Sequence, residues 1–400
     1  MELPKIQNVN VFHKVVLLRL DLNVPIVNNM ISDISRISAI KPTIEYLLKK
    51  SAKIVILSHL GRPKGKVKTS LSLLNILNTL EKEIKIKVIF SKEVYGDKVK
   101  NKIDNLKKGE ILLLENIRFF KEEEENSKIF SKEISKNFDI FCNDAFSVSH
   151  RSHASTEGVT HFLSSYAGLL LQNEIKEIEK ILKNPTKPIV ALVGGAKVST
   201  KMKLLSSLIK KIDHLIIGGG MANTFLNALG KNIGKSLCEF EMKKEALKII
   251  ELADLNNCKL YLPSDIVCSK KLSEASEPQS FDVEKCPDDL MILDSGEKTT
   301  NEIERVFNKC KTLIWNGPLG AFEIPPFDKS TLKVAKYAAK LTKDKQLKSI
   351  AGGGDTISAL NKASVTDQFS YVSTSGGAFL EWLEDENLPG ILALLKNNKT

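Results

Sequence analysis

Short β-rich apolar runs recur along the chain, and each closes in polar residues, glycine or proline. Val15-Val-Leu-Leu-Arg-Leu-Asp-Leu-Asn-Val-Pro25 reads as a buried strand followed by the loop at its carboxyl end. Lys53-Ile-Val-Ile-Leu-Ser-His-Leu-Gly-Arg62, Ile111-Leu-Leu-Leu-Glu-Asn-Ile-Arg118 and Ile140-Phe-Cys-Asn-Asp144 repeat that plan. Strand alternation places Arg19, Asp21 and Asn23 on one face, where a ligand or mutual pairing such as Arg19 with Asp21 must satisfy them. Helical spacing runs over Ile34–Leu48 and again over Leu169–Lys183, the latter with apolar residues at 171, 175, 178, 181 and 182 and a stop at Asn184-Pro185. Glu122–Glu125 reads as a solvated helix start, where acidic residues suit the helix dipole.

The second half keeps the strand-and-helix rhythm but changes its loops. Ile189-Val-Ala-Leu-Val-Gly-Gly195, Leu215-Ile-Ile-Gly218-Gly219-Gly, Leu313-Ile-Trp-Asn316-Gly-Pro-Leu-Gly, Ile350-Ala-Gly352-Gly353-Gly354-Asp355-Thr356 and Tyr371-Val-Ser-Thr-Ser-Gly376-Gly377 all end strands in glycine. Alternating strands and helices predict an α/β fold, and loops at strand carboxyl ends converge only if the sheets are parallel. At 400 residues, the chain fits two domains. We expect two doubly wound, Rossmann-like parallel-sheet domains joined by a helix and hinge: residues 1–170, a connector at 171–184, and 185–387. The tail from about 388 to 400 is too short to span a bilayer and is expected to pack back on a domain surface, the first being the candidate.

Composition narrows the chemistry. The net charge of +11 suits nucleic acid, but lysines are spread over nearly every helix and no basic stripe is interleaved with aromatics. The arginines are more telling. Only six occur (19, 36, 62, 118, 151 and 305), and five lie within the first 151 residues, while five of the six histidines (13, 59, 150, 153 and 161) fall in the first half. Where lysine is the default cation, arginine is expected to persist where a planar, two-pronged donor is needed. The first half therefore reads as the holder of a small, highly charged anion. Six cysteines form no C-x-x-C pair, no secretory signal or membrane-length apolar run is visible, and a cytoplasmic location is expected.

In the second half the glycine turns let backbone N–H groups approach phosphates at helix starts. Asp355 makes more sense beside a metal ion riding on phosphate oxygens than beside a phosphate itself. Lys197 and Lys201, four apart behind Gly194-Gly195, would share a helix face and reach a phosphate chain. Neither a Walker A loop nor G-x-G-x-x-G occurs, so the five turns read as a nucleotide cradle and a dinucleotide fold is disfavoured.

Taken in order, Arg19-Leu-Asp-Leu-Asn-Val-Pro, Ser58-His-Leu-Gly-Arg-Pro, Glu115-Asn-Ile-Arg-Phe, His150-Arg-Ser-His, Gly194-Gly-Ala-Lys-Val-Ser, Trp315-Asn-Gly-Pro and Gly352-Gly-Gly-Asp-Thr resemble the phosphoglycerate kinases over essentially the whole chain. The resemblance implies reversible phosphoryl transfer from 1,3-bisphosphoglycerate to Mg-ADP, giving 3-phosphoglycerate and ATP in glycolysis. It implies that Asp21, Asn23, Arg36, His59, Leu60 and Gly61, with Arg62, Arg118 and Arg151, hold the phosphoglycerate. It assigns the nucleotide to Lys197, Lys201, Gly218, Gly219, Asn316 and Glu323, with Gly352, Gly353, Gly354, Asp355 and Thr356. Asp355 would hold Mg²⁺, while Arg36, Lys197, Gly376 and Gly377 would face the transferring group. Ser147 and Ser375 stand where the family usually has glycine. A monomer that binds neither nucleic acid nor membrane is expected. A carboxylate ligase would need a further set of residues for an accepting nucleophile, and a nucleic-acid binder would show salt-sensitive binding without phosphotransfer.

Overall fold

The computed structural model of the chain describes residues 2–27, 30–182, 185–373, 375, 377–384 and 387–396. It divides into two compact units, Met1–Lys176 with Asn387–Thr400, and Glu177–Glu386. In the first unit six strands form one sheet: β1 (Val15–Arg19), β2 (Lys53–Leu57), β3 (Val88–Ser91), β4 (Ile111–Leu114), β5 (Ile140–Asn143) and β6 (Ser164–Ala167). Their order is β3-β4-β2-β1-β5-β6, and every pairing is parallel. Helical segments follow the strands, as a parallel connection requires. Alternate residues of the central strands enter two cores. Val16, Leu18, Ile54 and Ile56 pack in one, and Leu17, Val55, Leu57 and Phe141 in the other. Burial on both faces explains why these strands read as unbroken apolar runs.

Register decides what the sheet presents. Arg19, the last residue of β1, stands opposite Leu57 of β2 and Asn143 of β5. The loops beginning at Leu20, Ser58 and Asp144 therefore leave the sheet side by side. Because β1 ends at Arg19, Asp21 and Asn23 lie in a loop and not on one strand face with it. Polar side chains are better satisfied there than inside a sheet buried on both sides.

The second unit repeats the architecture with β7 (Ile189–Val193), β8 (His214–Ile217), β9 (Lys259–Tyr261), β13 (Thr312–Asn316), β14 (Lys348–Gly352) and β15 (Tyr371–Ser373) in the order β9-β8-β7-β13-β14-β15, again all parallel. A small antiparallel sheet, β11-β10-β12, is built from β10 (Asp265–Ser269), β11 (Gln279–Asp282) and β12 (Met291–Ser295). The turns after β8, β7, β13, β14 and β15 thus come from neighbouring strands. Gly376 lies outside the described residues.

Two helix readings change in detail. The pattern over Ile34–Leu48 is two helices, Ser35–Ala39 and Lys41–Lys49, joined at Ile40. Pro42, in the first turn of the second, has no N–H with which to continue the ladder. The connecting segment forms a helix over Leu169–Leu182, residues 183 and 184 lie outside the described residues, and the division between the two units falls within this helix. Near the C-terminus a helix spans Pro389–Lys396, and the Gly390 N–H donates to the Ser149 carbonyl at 2.8 Å.

The first turn of the Leu169–Leu182 helix is seated by two side chains of the first unit. Thr43 Oγ1 accepts from the Leu169 N–H at 3.0 Å, and Asp144 Oδ1 accepts from the Leu171 N–H at 3.0 Å. Burial raises the Asp144 carboxyl from 3.8 to about 6, against the lowering effect of its hydrogen bonds from Thr43, Leu171 and Leu170. A carboxyl raised on folding is charged at greater cost in the native state than in the unfolded chain. Its contribution is therefore full below about pH 4 and lost as pH climbs to about 6; a change of that size is worth about 3 kcal/mol. In urea titrations the parent should lose about that much stability between about pH 3 and 7 relative to Asp144→Asn, whose amide does not titrate. A difference that stays flat over that interval would remove the assignment.

Candidate functional site

In the first unit the loops after β1, β2, β4 and β5 build a charged cluster. Arg19 is fully buried, with Nε donating to Ser155 Oγ (2.9 Å), Nη1 to the Leu20 carbonyl (2.5 Å) and Nη2 to His59 Nδ1 (3.2 Å). Asp21 forms its ion pair with Arg36 and not with Arg19. Arg36 Nη1 donates to Asp21 Oδ2 at 2.7 Å and to the Asn23 carbonyl at 3.1 Å, while Ser147 Oγ donates to the same Oδ2. Asn23 Oδ1 in turn accepts from the Gly61 N–H at 2.7 Å, and Arg118 Nη1 donates to the Gly61 carbonyl at 3.0 Å. One chain of hydrogen bonds thus joins Arg36, Asp21, Asn23, Gly61 and Arg118. Buried Leu60 is fixed through its carbonyl, which accepts from Asn116 Nδ2 at 2.7 Å. Arg151 Nε donates to His150 Nε2 at 3.0 Å, and Arg62 is exposed.

The cluster is electropositive for reasons that can be itemised. Burial, with Arg19 and Arg151 adding charge nearby, brings Arg118 down from 12.5 to about 10, so it stays charged at neutral pH. Burial, then Arg19, Arg118 and Arg36, holds His59 well below its usual range. Burial and Arg151 take His150 to about 4. Both histidines are neutral at pH 7, and the positive charge sits on guanidinium groups. Such an array suits an anion whose oxygens accept several fixed donors at once.

In the second unit the glycine turns pack backbone against backbone. A Cβ on Gly194 would lie 1.8 Å from the Pro318 carbonyl oxygen, and one on Gly317, which has φ +101°, would lie 2.2 Å from the Gly194 carbonyl oxygen. Asn316 Nδ2 donates to the Gly352 carbonyl at 2.6 Å, and its side-chain oxygen accepts from Lys201 Nζ. Thr356 is buried; its hydroxyl accepts from the Gly317 N–H at 2.7 Å and donates to the Gly352 carbonyl at 2.8 Å. Asn316 and Thr356 therefore shape the turn, whereas Gly354 and Asp355 are exposed at the start of the helix Gly354–Lys362. Beside them lies a cleft of about 340 Å³. Gly195, Gly219 and Gly220 line one side, Leu237, Leu293 and Leu319 supply apolar wall, and Glu323 and Asp355 supply carboxylates. An apolar slot with glycine edges and polar groups suits a flat ring carrying a phosphate chain.

The lysines behind Gly194-Gly195 do not share a helix face. The helix is Met202–Ile209 and begins only after Lys201, because Gly195 has φ +141° and Ser199 is tied to Glu239, its N–H donating to Oε2 at 3.0 Å. Lys197 is exposed on this loop. Lys201 is largely enclosed, and burial lowers it from 10.5 to about 8, with Asp355 opposing that fall.

The acidic run Glu122–Glu125 does open a helix, Lys121–Glu124, but it is not solvated throughout. Glu123 is fully buried: Oε1 accepts from Ser155 Oγ at 2.6 Å, Oε2 from the Ser155 N–H at 2.8 Å, and His153 Nδ1 stands 3.5 Å from Oε1. Composition hides this, since one acid in four is drawn inward by partners about thirty residues away in sequence. The leucines of the cleft were also missed. Leu237 and Leu293 lie outside the glycine turns and carry no local sign of a binding role.

A family model described as phosphoglycerate kinase matches residues 6–386. The chain is 49% identical to the phosphoglycerate kinase of Chelativorans sp. (strain BNC1) over 383 residues, covering 96% of each chain. It is also 49% identical to that of Brucella abortus over 391 residues, covering 98% of this chain and 99% of the relative. Among solved structures, phosphoglycerate kinase from Coxiella burnetii superposes with a TM-score of 0.87 at 40% identity over the full length of both chains. The Pyrococcus horikoshii enzyme gives 0.82 at 28% identity, covering 98% of each.

The turn after β14 offers a stability test. Gly353 has φ +100°, and a Cβ there would lie 2.5 Å from Asn316 Nδ2. Gly353→Ala should destabilise the second unit by about 1–3 kcal/mol in urea titration followed by tryptophan fluorescence. Gly354→Ala, whose Cβ meets nothing within 4 Å, should cost less. Equal losses would show that the strained backbone at Gly353 is not what fixes the turn.

Proposed function

The chain belongs to the phosphoglycerate kinase family, and from that premise we propose that it moves a phosphoryl group reversibly between the acyl phosphate of 1,3-bisphosphoglycerate and ADP, giving 3-phosphoglycerate and ATP. The observation that carries this is the chemical contrast between the two units. A guanidinium cluster in one suits a small carboxylate-and-phosphate anion, and a glycine-edged cleft in the other suits a nucleotide. Asp21, Asn23, Arg36, His59, Arg62, Arg118 and Arg151 would hold the phosphoglycerate, with Leu60 and Gly61 shaping its loop. Lys197 and Lys201 would meet nucleotide phosphates, Gly218 and Gly219 the base edge, and Glu323 the ribose.

In the ATP-consuming direction the attacking group is a carboxylate, already ionised at pH 7, so no general base is required. What remains is positioning and neutralisation of the charge spread over the phosphoryl oxygens. Arg36 is suited to this because it is only partly buried and its Nη1 is held in place by Asp21 and the Asn23 carbonyl. Lys197, on its exposed loop, would neutralise from the nucleotide side, and the start of the helix Gly377–Glu384 would direct N–H groups at the phosphoryl group. The donor set also fits magnesium. One exposed carboxylate at a phosphate-binding turn is the usual protein share of an ion otherwise held by phosphate oxygens and water, and Asp355 supplies it. When bound, the ion would supply positive charge to offset that of the phosphate chain.

Two outcomes are expected. With Mg-ATP, 3-phosphoglycerate and hydroxylamine as a trap, the protein should yield acyl hydroxamate, and Arg36→Ala or removal of metal should abolish most of it. Loss of the Arg36 charge should lower turnover by about 10²–10³-fold while nucleotide affinity changes little. Unchanged turnover in that variant would refute the role. Because each reactant is assigned to a different unit, transfer requires the units to close about the Leu169–Leu182 segment. X-ray scattering should show a smaller radius of gyration with both substrates present, and an unchanged radius would refute closure.

A further inference from the structure

Beneath the proposed phosphoglycerate site lies a buried charged layer that no substrate-holding role accounts for. Glu123 and Arg19 are both fully buried, and Ser155 stands between them. The Ser155 hydroxyl donates to Glu123 Oε1 at 2.6 Å and accepts from Arg19 Nε at 2.9 Å. From the far side of the same guanidinium, Nη2 reaches His59 Nδ1 at 3.2 Å. A guanidinium cannot accept a hydrogen bond, so Nδ1 must be the accepting, unprotonated nitrogen. A neutral imidazole bound in that way carries its proton on Nε2. Among the described residues the bond from Arg19 is the one hydrogen bond that the His59 side chain makes.

We propose that Glu123 is a positioning residue of the phosphoglycerate site: acting through Ser155 and Arg19, it fixes the His59 ring as the Nε2–H tautomer, so that this histidine meets the substrate as a neutral, directed donor. The inference rests on the reading of His59 as a substrate-holding group. The energetics support it. Burial disfavours the Arg19 cation, and the carboxylates of Glu123 and then Asp21 oppose that loss. Burial likewise resists the charge on Glu123, but the hydrogen bond from His153, the Arg19 charge and the Ser155 hydroxyl more than offset it. Each charge thus eases the burial of the other. A Glu123 that merely held the loop together would leave the Arg19 donors free to turn to any nearby carbonyl. Instead all three donor nitrogens are committed, one of them to the ring. A neutral donor also has a use here. Arg36 and Arg118 already supply charge, and a third cation packed against them would add repulsion before it added binding.

The test begins with the parent chain, ligand-free and near neutral pH. Nitrogen-15 spectra of the histidine side chains should show His59 Nδ1 unprotonated and Nε2 protonated. The opposite tautomer, or an imidazolium, would overturn the proposal without any variant or ligand. Glu123→Gln and Ser155→Ala then test the relay. Each should disturb the His59 nitrogen signals and raise KM for 3-phosphoglycerate on the order of ten- to a hundredfold, leaving KM for Mg-ATP near the parent value. His59 signals unchanged in the folded variants, or a parallel rise in both KM values, would reduce Glu123 to a structural residue. Should Glu123→Gln fail to fold, Ser155→Ala keeps both buried charges and still decides the matter. A parent that binds no 3-phosphoglycerate at all would defeat the proposed function, an outcome separate from the tautomer measured in its absence.

Discussion

A parallel sheet sends the carboxyl end of every strand to the same edge, and both units of this chain depend on that constraint. It makes functional groups from distant sequence positions neighbours without any dedicated interaction between them. Arg19 stands opposite Leu57 and Asn143 only because β1, β2 and β5 are in register, and that register carries three loops to one place. Fine positioning is added afterwards by side chains that stitch loop to loop, such as Asn23 on Gly61 and Arg118 on the same residue. In the second unit the stitching is tighter. Gly194, Gly317 and Pro318 touch through their backbones, which no residue with a side chain would permit at the two glycines.

This division between register and stitching explains what was legible in the sequence. Strands buried on both faces are continuous apolar runs, so the strands could be read from those runs, and the residues closing each run marked the edge where ligands gather. Signals that depend on long-range partners could not be read. Glu123 sits among three other acids and differs from them only because Ser155 and His153 come to meet it. The Lys197–Lys201 spacing is helical in form, yet Gly195 and the Ser199–Glu239 bond hold that stretch as a loop. Arg19 and Asp21 looked like partners because they are two apart, whereas Asp21 turns to Arg36 and Ser147. In each case local spacing gave way to a tertiary contact whose other half lay well outside the local stretch.

The placement of arginine follows from the cost of burying charge. Arg118 falls from 12.5 to about 10 in its cluster, and Lys201 falls from 10.5 to about 8 in its turn. The two drops are similar, but they begin from different values. A lysine in the position of Arg118, with Arg19 and Arg151 nearby, would start lower, so the same fall would bring it closer to neutral pH and leave its charge less secure. A guanidinium keeps its charge after the same loss. In a chain that otherwise uses lysine for nearly every positive group, the two buried cations of this cluster, Arg19 and Arg118, are both arginine. Lysine suffices at the glycine turns, where backbone N–H groups share the work of meeting an anion and the only nearby charge set against the burial of Lys201 is the carboxylate of Asp355. The uneven distribution of a single residue type thus reflects two solutions to holding an anion, a crowded guanidinium cluster in one unit and a glycine-lined backbone in the other.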